Sequence, residues 1–259
     1  MREITIDKEI GIPNEDAVIA KDSLIAVSDG AGGGGVFADK WSKYLVEHLP
    51  DKPIKTFSVF DKWIDGIWEP FYNDCEEKAK KEGGMLLNKF YDEGSFATLV
   101  AVWKTGEWIS YGDSVAFCYH RNTGVLDHSF TKLSDFNNPP YLVNCKDPLN
   151  RKGFRHGKFV IDDDCIVFAA SDALAHYILM MYEVANKDRF ADELQEALNA
   201  HTKNSNLVKM GIRFRRLDFA TKVIQKLLNC HTGPLLESHI DGLKNKRLIA
   251  LDDYSFAIM

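Results

Sequence analysis

Apolar positions along the chain follow two periods. The runs 2–6, 17–20, 24–27, 97–103, 107–111, 115–120, 165–170 and 254–258 are short and apolar and are bounded by Gly, Asn, Asp or Lys. Such runs predict strands, and 158–161 and 248–251 are expected to be strands as well. Tight connectors at 104–106 and 112–114 imply an antiparallel meander, continued through 121–131 with a turn at 122–124. Elsewhere the spacing is helical. Phe37, Trp41, Tyr44, Leu45 and Leu49 predict a helix over 36–49, stopped by Pro50. Phe57, Phe60, Ile64, Ile67, Phe71, Cys75 and Ala79 form one stripe over 56–82, with a kink expected at Pro70 and a stop at Gly83-Gly84. Ser171-Asp172 opens a third helix over 173–185, and a fourth is expected over 189–201. A fifth, over 206–229, has Leu207, Met210, Phe214, Leu217, Ala220, Ile224 and Leu227 on one face. Its other face carries Lys209, Arg213, Arg215, Arg216, Lys222 and Lys226, a solvated face in the first instance. The polar stretch 134–158, with three prolines and no period, reads as a surface excursion, a mobile flap or a plain loop. Two helical blocks interleaved with antiparallel strands give an α+β class of layered sheets flanked by helices. They do not give the βαβ alternation of a parallel sheet.

At 259 residues, with 45% hydrophobic and 27% charged positions, the chain suits one domain spanning 1–259. The formal charge of −6 leaves no basic footprint, so no nucleic-acid partner is expected. The N-terminus has no apolar signal region and no run reaches the roughly 18 to 20 apolar residues of a membrane span. The expectation is a cytoplasmic monomer without a membrane partner. Five scattered cysteines, Cys75, Cys118, Cys145, Cys165 and Cys230, form no CxxC pair. Neither a disulfide framework nor a structural zinc site is expected, and Cys118 and Cys165 read as inert buried thiols.

The chemistry concentrates where apolar strands end in acids. The segment 24–35, LIAVSDGAGGGG, places Asp29 at the open end of a buried strand, followed by five glycines in six residues. That arrangement suits a phosphate, a nucleotide or a metal ion. Asp113, Asp172 and Asp252 stand in the same way at strand ends or in turns, and Glu15-Asp16 precede a strand. One such acid is an ordinary turn residue. Several on adjacent strand ends would converge their carboxylates on one rim and demand cations, with hard oxygens favouring Mg²⁺ or Mn²⁺.

Taken in order, Asn14-Glu15-Asp16, Val27-Ser28-Asp29-Gly30-Ala31-Gly32-Gly33, Ala97-Thr98-Leu99-Val100, Tyr111-Gly112-Asp113-Ser114, Ala170-Ser171-Asp172-Ala173-Leu174 and Asp252-Asp253-Tyr254-Ser255 resemble the motif series of the metal-dependent, type 2C serine/threonine protein phosphatases of the bacterial type. The resemblance implies a four-layer α-β-β-α sandwich of two stacked, mainly antiparallel sheets. It implies hydrolysis of phosphoserine and phosphothreonine in a phosphorylated protein substrate, by a hydroxide bridging two Mn²⁺ or Mg²⁺ ions. Asp29 would bridge both metals, Gly30 would bind one through its carbonyl, and Asp172 and Asp252 would bind the second. Glu15 matches a further acid near the second metal, with Asp16 orienting the water. Asp113 matches the acid that shares a third metal with Asp172 in some members. Asp252 is preferred to Asp253 from its place in the closing motif.

Three departures stand out. Ala31 replaces a His found in many eukaryotic members, Gly11 occupies the position of a phosphate-binding Arg, and Ala173-Leu174-Ala175 alters the fourth acid motif. Lys8 or another cation would have to stand in for the Arg. The missing Arg also leaves open a pseudophosphatase that binds phosphoproteins without turnover. Gly30, Gly32 and Gly35 satisfy GxGxxG, a dinucleotide fingerprint. Asp29 beside a pyrophosphate and the missing second acidic strand oppose that reading. A P-loop fails because Val36-Phe37 replaces Lys-Ser/Thr. The eight histidines show no ligand spacing; His156 is the one to test as a proton donor.

Overall fold

The strands read as near-continuous apolar runs because both of their faces are covered. The computed structural model describes residues 1–9, 11–33, 35–214 and 217–259. One sheet has the order β1 (Arg2–Ile6), β12 (Tyr254–Ile258), β11 (Cys165–Ala170), β7 (Val115–His120), β8 (Leu126–His128). The other has the order β10 (Phe154–Lys158), β6 (Glu107–Tyr111), β5 (Leu99–Trp103), β3 (Leu24–Ser28), β2 (Ala17–Lys21). Every described pairing is antiparallel, including the short pair β4 (Phe96–Ala97) and β9 (Val143–Asn144).

Side chains alternate between two layers along each strand. Ile25, Val27, Val100, Val102, Ala116, Cys118, Val167, Ala169 and Ala257 meet between the sheets. This layer is built mostly from small and β-branched residues, with Phe159 at its edge. Outward from the second sheet, Leu24, Ala26, Leu99, Ala101 and Trp103 pack under α1 (Ala38–Glu47), α2 (Phe57–Glu82) and α3 (Gly84–Glu93). Outward from the first, Phe117, Phe168, Ala170, Tyr254 and Phe256 pack under α4 (Asp172–Ala185) and the helices that follow it. The four layers and the α+β class expected from the sequence are therefore present.

Several local expectations are corrected. The segment 134–158 is folded: it holds 3₁₀ turns at Leu133–Asn137 and Arg151–Gly153 and the strands β9 and β10. The strand expected at 158–161 lies earlier, at β10, because Phe154–Lys158 pairs along β6. The stretch 248–251 is not a strand; Tyr254 Oη donates to the Ala250 carbonyl at 2.6 Å, tying it into a turn. The fifth helix is divided into α6 (Lys203–Gly211), a π-helical turn at Ala220–Ile224 and α7 (Gln225–Asn229). Arg215 and Arg216 of its basic face lie outside the described residues. Two helices went unpredicted, α3 and α8 (Gly233–Asn245). Gly83, at φ +123°, ends α2 and starts α3 at once, so a breaker became a corner. Pro234 at the start of α8 and Leu236, Ile240 and Leu243 on its buried side are ordinary helix signals. Pro70 does not end α2. Among the described residues no helix is long and apolar enough to cross a membrane.

Candidate functional site

Strand register alone brings the predicted acids to one rim. Ala17 of β2 faces Ser28 of β3, so Asp16 and Asp29 both stand just past the same end of that ladder. β5 begins beside the end of β3, and the Thr98 amide donates to the Asp29 carbonyl at 2.8 Å. β5 in turn pairs Leu99 with Tyr111 at the end of β6. The turn 112–114 then carries the chain across to the other sheet. Gly112 is required there: its φ is +103°, and a Cβ would meet the Thr98 side chain at 2.7 Å. Thr98 Oγ1 and Ser114 Oγ, 2.7 Å apart, fasten the two sheets at this corner. In the first sheet Val115 faces Ala170, Ala170 faces Phe256, and Tyr254 faces Ile6. Asp113, Asp172 and Asp252 therefore follow the same line of strand ends as Asp16 and Asp29.

The carboxylates sense one another. Burial, and then Asp16, Asp172, Asp113 and Asp252, hold the Asp29 carboxyl well above the usual carboxylate range. Burial followed by Asp113, Asp252 and Asp16 does the same to Asp172. Burial pushes Asp16 up to about 7; the Ser171 and Ser255 hydroxyls offset part of this, and Asp253 and Asp252 add to it. Burial raises Asp113 to about 6 against the pull of its own amide and of Arg155. Asp252 is raised by burial too, tempered by the Asp253 amide and Lys8. Asp16 Oδ2 is buried and has no hydrogen-bond partner among the described residues. A set of hard oxygens that repel one another, with one buried oxygen orphaned, fits divalent cations. No three rim carboxylates among the described residues bring one oxygen each within 4.8 Å of the others.

The N-terminal acids are held by backbone. The Gly30 amide donates to the Glu15 carbonyl at 3.1 Å, and Ser42 Oγ donates to the same carbonyl at 2.5 Å. A Cβ on Gly30 would meet that carbonyl at 2.6 Å and the Ala38 carbonyl oxygen at 2.8 Å, whereas a Cβ on Gly32 would strike the Glu15 carboxylate. These two glycines let the 29–32 backbone lie against Glu15; Gly34 lies outside the described residues. Asp253, only 2% exposed, accepts the Lys8 amide at 2.7 Å and the Glu15 amide at 3.0 Å. It thus clamps the N-terminal loop, and Asp252 is left to face the other acids. Lys8 Nζ pairs with Glu15 at 3.5 Å and Asp253 at 3.6 Å, so it serves the clamp.

The sequence reading missed Arg155. It lies on β10 in the segment read as a flap or loop, donates to the Gly112 carbonyl and stacks over Phe130, 4.8 Å from the ring centroid. With Lys152, Tyr141, Asp135 and Asp113 it lines a cavity of about 290 Å³ opening beside the rim. A lone Arg in an irregular segment carries no local signal; only the β6–β10 pairing brings it there. Gly11, where the motif series has Arg, is exposed with open space around it. His156 is exposed and stacks on Phe154, with ring centroids 5.6 Å apart.

No family model and no curated protein matches the chain. Among solved structures it is similar to the serine/threonine phosphatase Stp1 from Staphylococcus aureus, at 12% identity over 99% of this chain and 92% of that one, TM-score 0.49. It is similar to the catalytic domain of the serine/threonine protein phosphatase PstP in complex with two manganese ions, at 13% identity over 99% and 95%, TM-score 0.48. It is also similar to PppA, a regulatory component of the T6SS in Pseudomonas aeruginosa, at 15% identity over 100% and 97%, TM-score 0.47. At such identities and scores these likenesses add nothing to the chemistry, which rests on the geometry above.

Proposed function

We propose that the chain is a metal-dependent phosphatase acting on phosphoserine and phosphothreonine in proteins. One observation carries the reading: carboxylates from separate strand ends share one rim, where burial and the neighbouring acids raise the proton affinity of Asp29 and Asp172. Asp29, Asp172 and Asp252, with the Gly30 carbonyl and Glu15, would hold a pair of Mn²⁺ or Mg²⁺ ions, and Asp113 with Asp172 would hold a third. When bound, such ions offset the phosphate's charge and make a water acidic enough to attack near neutral pH.

The rest falls to side chains of this chain. Asp16, whose buried Oδ2 has no hydrogen-bond partner among the described residues, would orient the attacking water and take its proton. Arg155 supplies the cation for the phosphate that Gly11 does not, and it is preset by its bond to the Gly112 carbonyl. The cavity beside Asp113 receives residues flanking the phosphorylated side chain. Thr98 and Ser114 hold the corner from which Asp29 and Asp113 project, so the acids keep their spacing.

The test is release of phosphate from phosphoserine and phosphothreonine peptides and from p-nitrophenyl phosphate. Turnover that requires Mn²⁺ or Mg²⁺ and stops with chelator is expected. The empty position at Gly11 favours a second reading, a phosphoprotein binder without turnover. Phosphopeptide binding with no release under any divalent ion would select it, and neither binding nor turnover would overturn both.

A further inference from the structure

The far end of β7 and β11 carries a second group of ligands, chemically unlike the first. Cys165 opens β11 directly opposite His120, the last residue of β7. Cys118 Sγ, Cys165 Sγ and a ring nitrogen of His120 all lie within 4.8 Å of one another, the only such metal-ligating group among the described residues. Cys165 Sγ is 3.2 Å from His120 Nδ1 and 3.1 Å from Asp162 Oδ1. His120 Nε2 is 3.0 Å from Asp127 Oδ2. From Val115 at the acid rim to His120 is five strand steps, about 17 Å.

Hydrogen bonding alone does not satisfy this arrangement. A thiol has one proton to donate. Around Cys165 Sγ stand two oxygen acceptors, Asp162 Oδ1 and, at 3.5 Å, the Val160 carbonyl, together with His120 Nδ1, which donates or accepts according to the tautomer. Two thiols and an imidazole, with the Asp162 carboxylate 3.1 Å from one of the sulfurs, make a donor set of the kind that holds Zn²⁺, around which tetrahedral ligand atoms lie roughly 3.5 Å apart. The contacts of Cys165 are already near that edge length. A His that ligates through Nδ1 commonly gives its other N–H to a carboxylate, and Asp127 is in place for it. Cys165 and His120 are partly exposed, so an ion has a way in.

We propose that Cys118, Cys165, His120 and Asp162 form a structural site for one Zn²⁺ ion, with Asp127 orienting the imidazole. Binding releases the two thiol protons to solvent and leaves both sulfurs as thiolates. The ion crosslinks the end of β7, the 162–164 turn and the start of β11. The site is independent of the rim, and its test does not require hydrolysis to have been found.

The experiment uses the whole chain, purified reduced and metal-free and then titrated with Zn²⁺ and, separately, Co²⁺. With excess Mg²⁺ present to fill the rim, wild type should take up one equivalent of Zn²⁺, melt at higher temperature with it, and show thiolate-to-metal charge-transfer absorption with Co²⁺. Cys165→Ser, at the half-exposed position where misfolding is least expected, should bind at least tenfold more weakly and lose that absorption. Asp127→Asn should weaken binding about tenfold while keeping the spectrum, which a purely packing role for Asp127 would not do. Equal Zn²⁺ uptake by wild type and Cys165→Ser would overturn the proposal. So would Co²⁺ binding without thiolate absorption.

Discussion

The two ends of the β7–β11 ladder make an instructive pair. Both lie on the same two strands and are served by the same small-residue layer of Ala116, Cys118, Val167 and Ala169. At one end Asp113 and Asp172 join Asp16, Asp29 and Asp252, all oxygen. At the other, sulfur and imidazole nitrogen meet. The strand interiors are filled and dry, so each end is where polar groups can be placed. Which ion each end suits is set by donor hardness. The two ends also differ in how they are built. The acid rim draws on both sheets and on seven strands, whereas the thiol end needs one ladder and one turn.

The sharpest way to break the comparison is to remove charge at one end and watch the other. Asp29→Asn should lower Mn²⁺-dependent hydrolysis roughly a thousandfold, with Zn²⁺ stoichiometry unchanged; parallel loss of both would mean that the ends are not independent. Gly32→Ala places a methyl against the Glu15 carboxylate. It should cost about ten- to a hundredfold in kcat by displacing that acid, and unchanged kcat would remove Glu15 from the site. Arg155→Ala should reduce kcat/KM roughly tenfold, mainly through KM. An effect confined to thermal stability would mean that Arg155 only braces Gly112 and Phe130.

The smallest effect concerns stability against pH. Asp16, near 7, and Asp113, near 6, have folded-state proton affinities above their unfolded value of 3.8. Glu183, buried within α4, is pushed up to about 8 from 4.5. Between the unfolded and folded values the folded chain holds more protons, so stability is greatest at the acid end and falls as pH rises through the folded values. The metal-free protein should lose stability from these acids as pH rises from 4 to 8, partly offset below pH 6.5 by buried His176, pushed down to about 4, as read by urea unfolding. Saturating Mn²⁺ should remove the rim's part of that slope, and Glu183→Gln should remove the part due to Glu183. An unchanged slope in Glu183→Gln would contradict the burial of that acid.

What could be read beforehand follows from the range of the signal. Asp29, Asp113, Asp172 and Asp252 were legible because each abuts an apolar run, a pattern confined to a few neighbouring residues. The layering followed from the same runs. Arg155 and the thiol end were not legible, because each exists only through pairing across the sheet: Cys165 meets His120 from 45 positions away. Cys165 reads as a buried thiol in the sequence, whereas the structure leaves it partly exposed. The segment 134–158 looked structureless because its order is borrowed: the Asn150 amide donates to Tyr111 Oη at 2.9 Å, and Gly153 packs on Tyr111 and Tyr141. α8 is a different case, since its proline and apolar spacing were available locally and were passed over.

The most direct measurement of the central claim is anomalous diffraction from crystals soaked in Mn²⁺. Peaks are expected at the rim, one close to Asp29 together with the Gly30 carbonyl and one shared by Asp29, Asp172 and Asp252. A fully occupied soak with peaks elsewhere and none among these carboxylates would contradict the account.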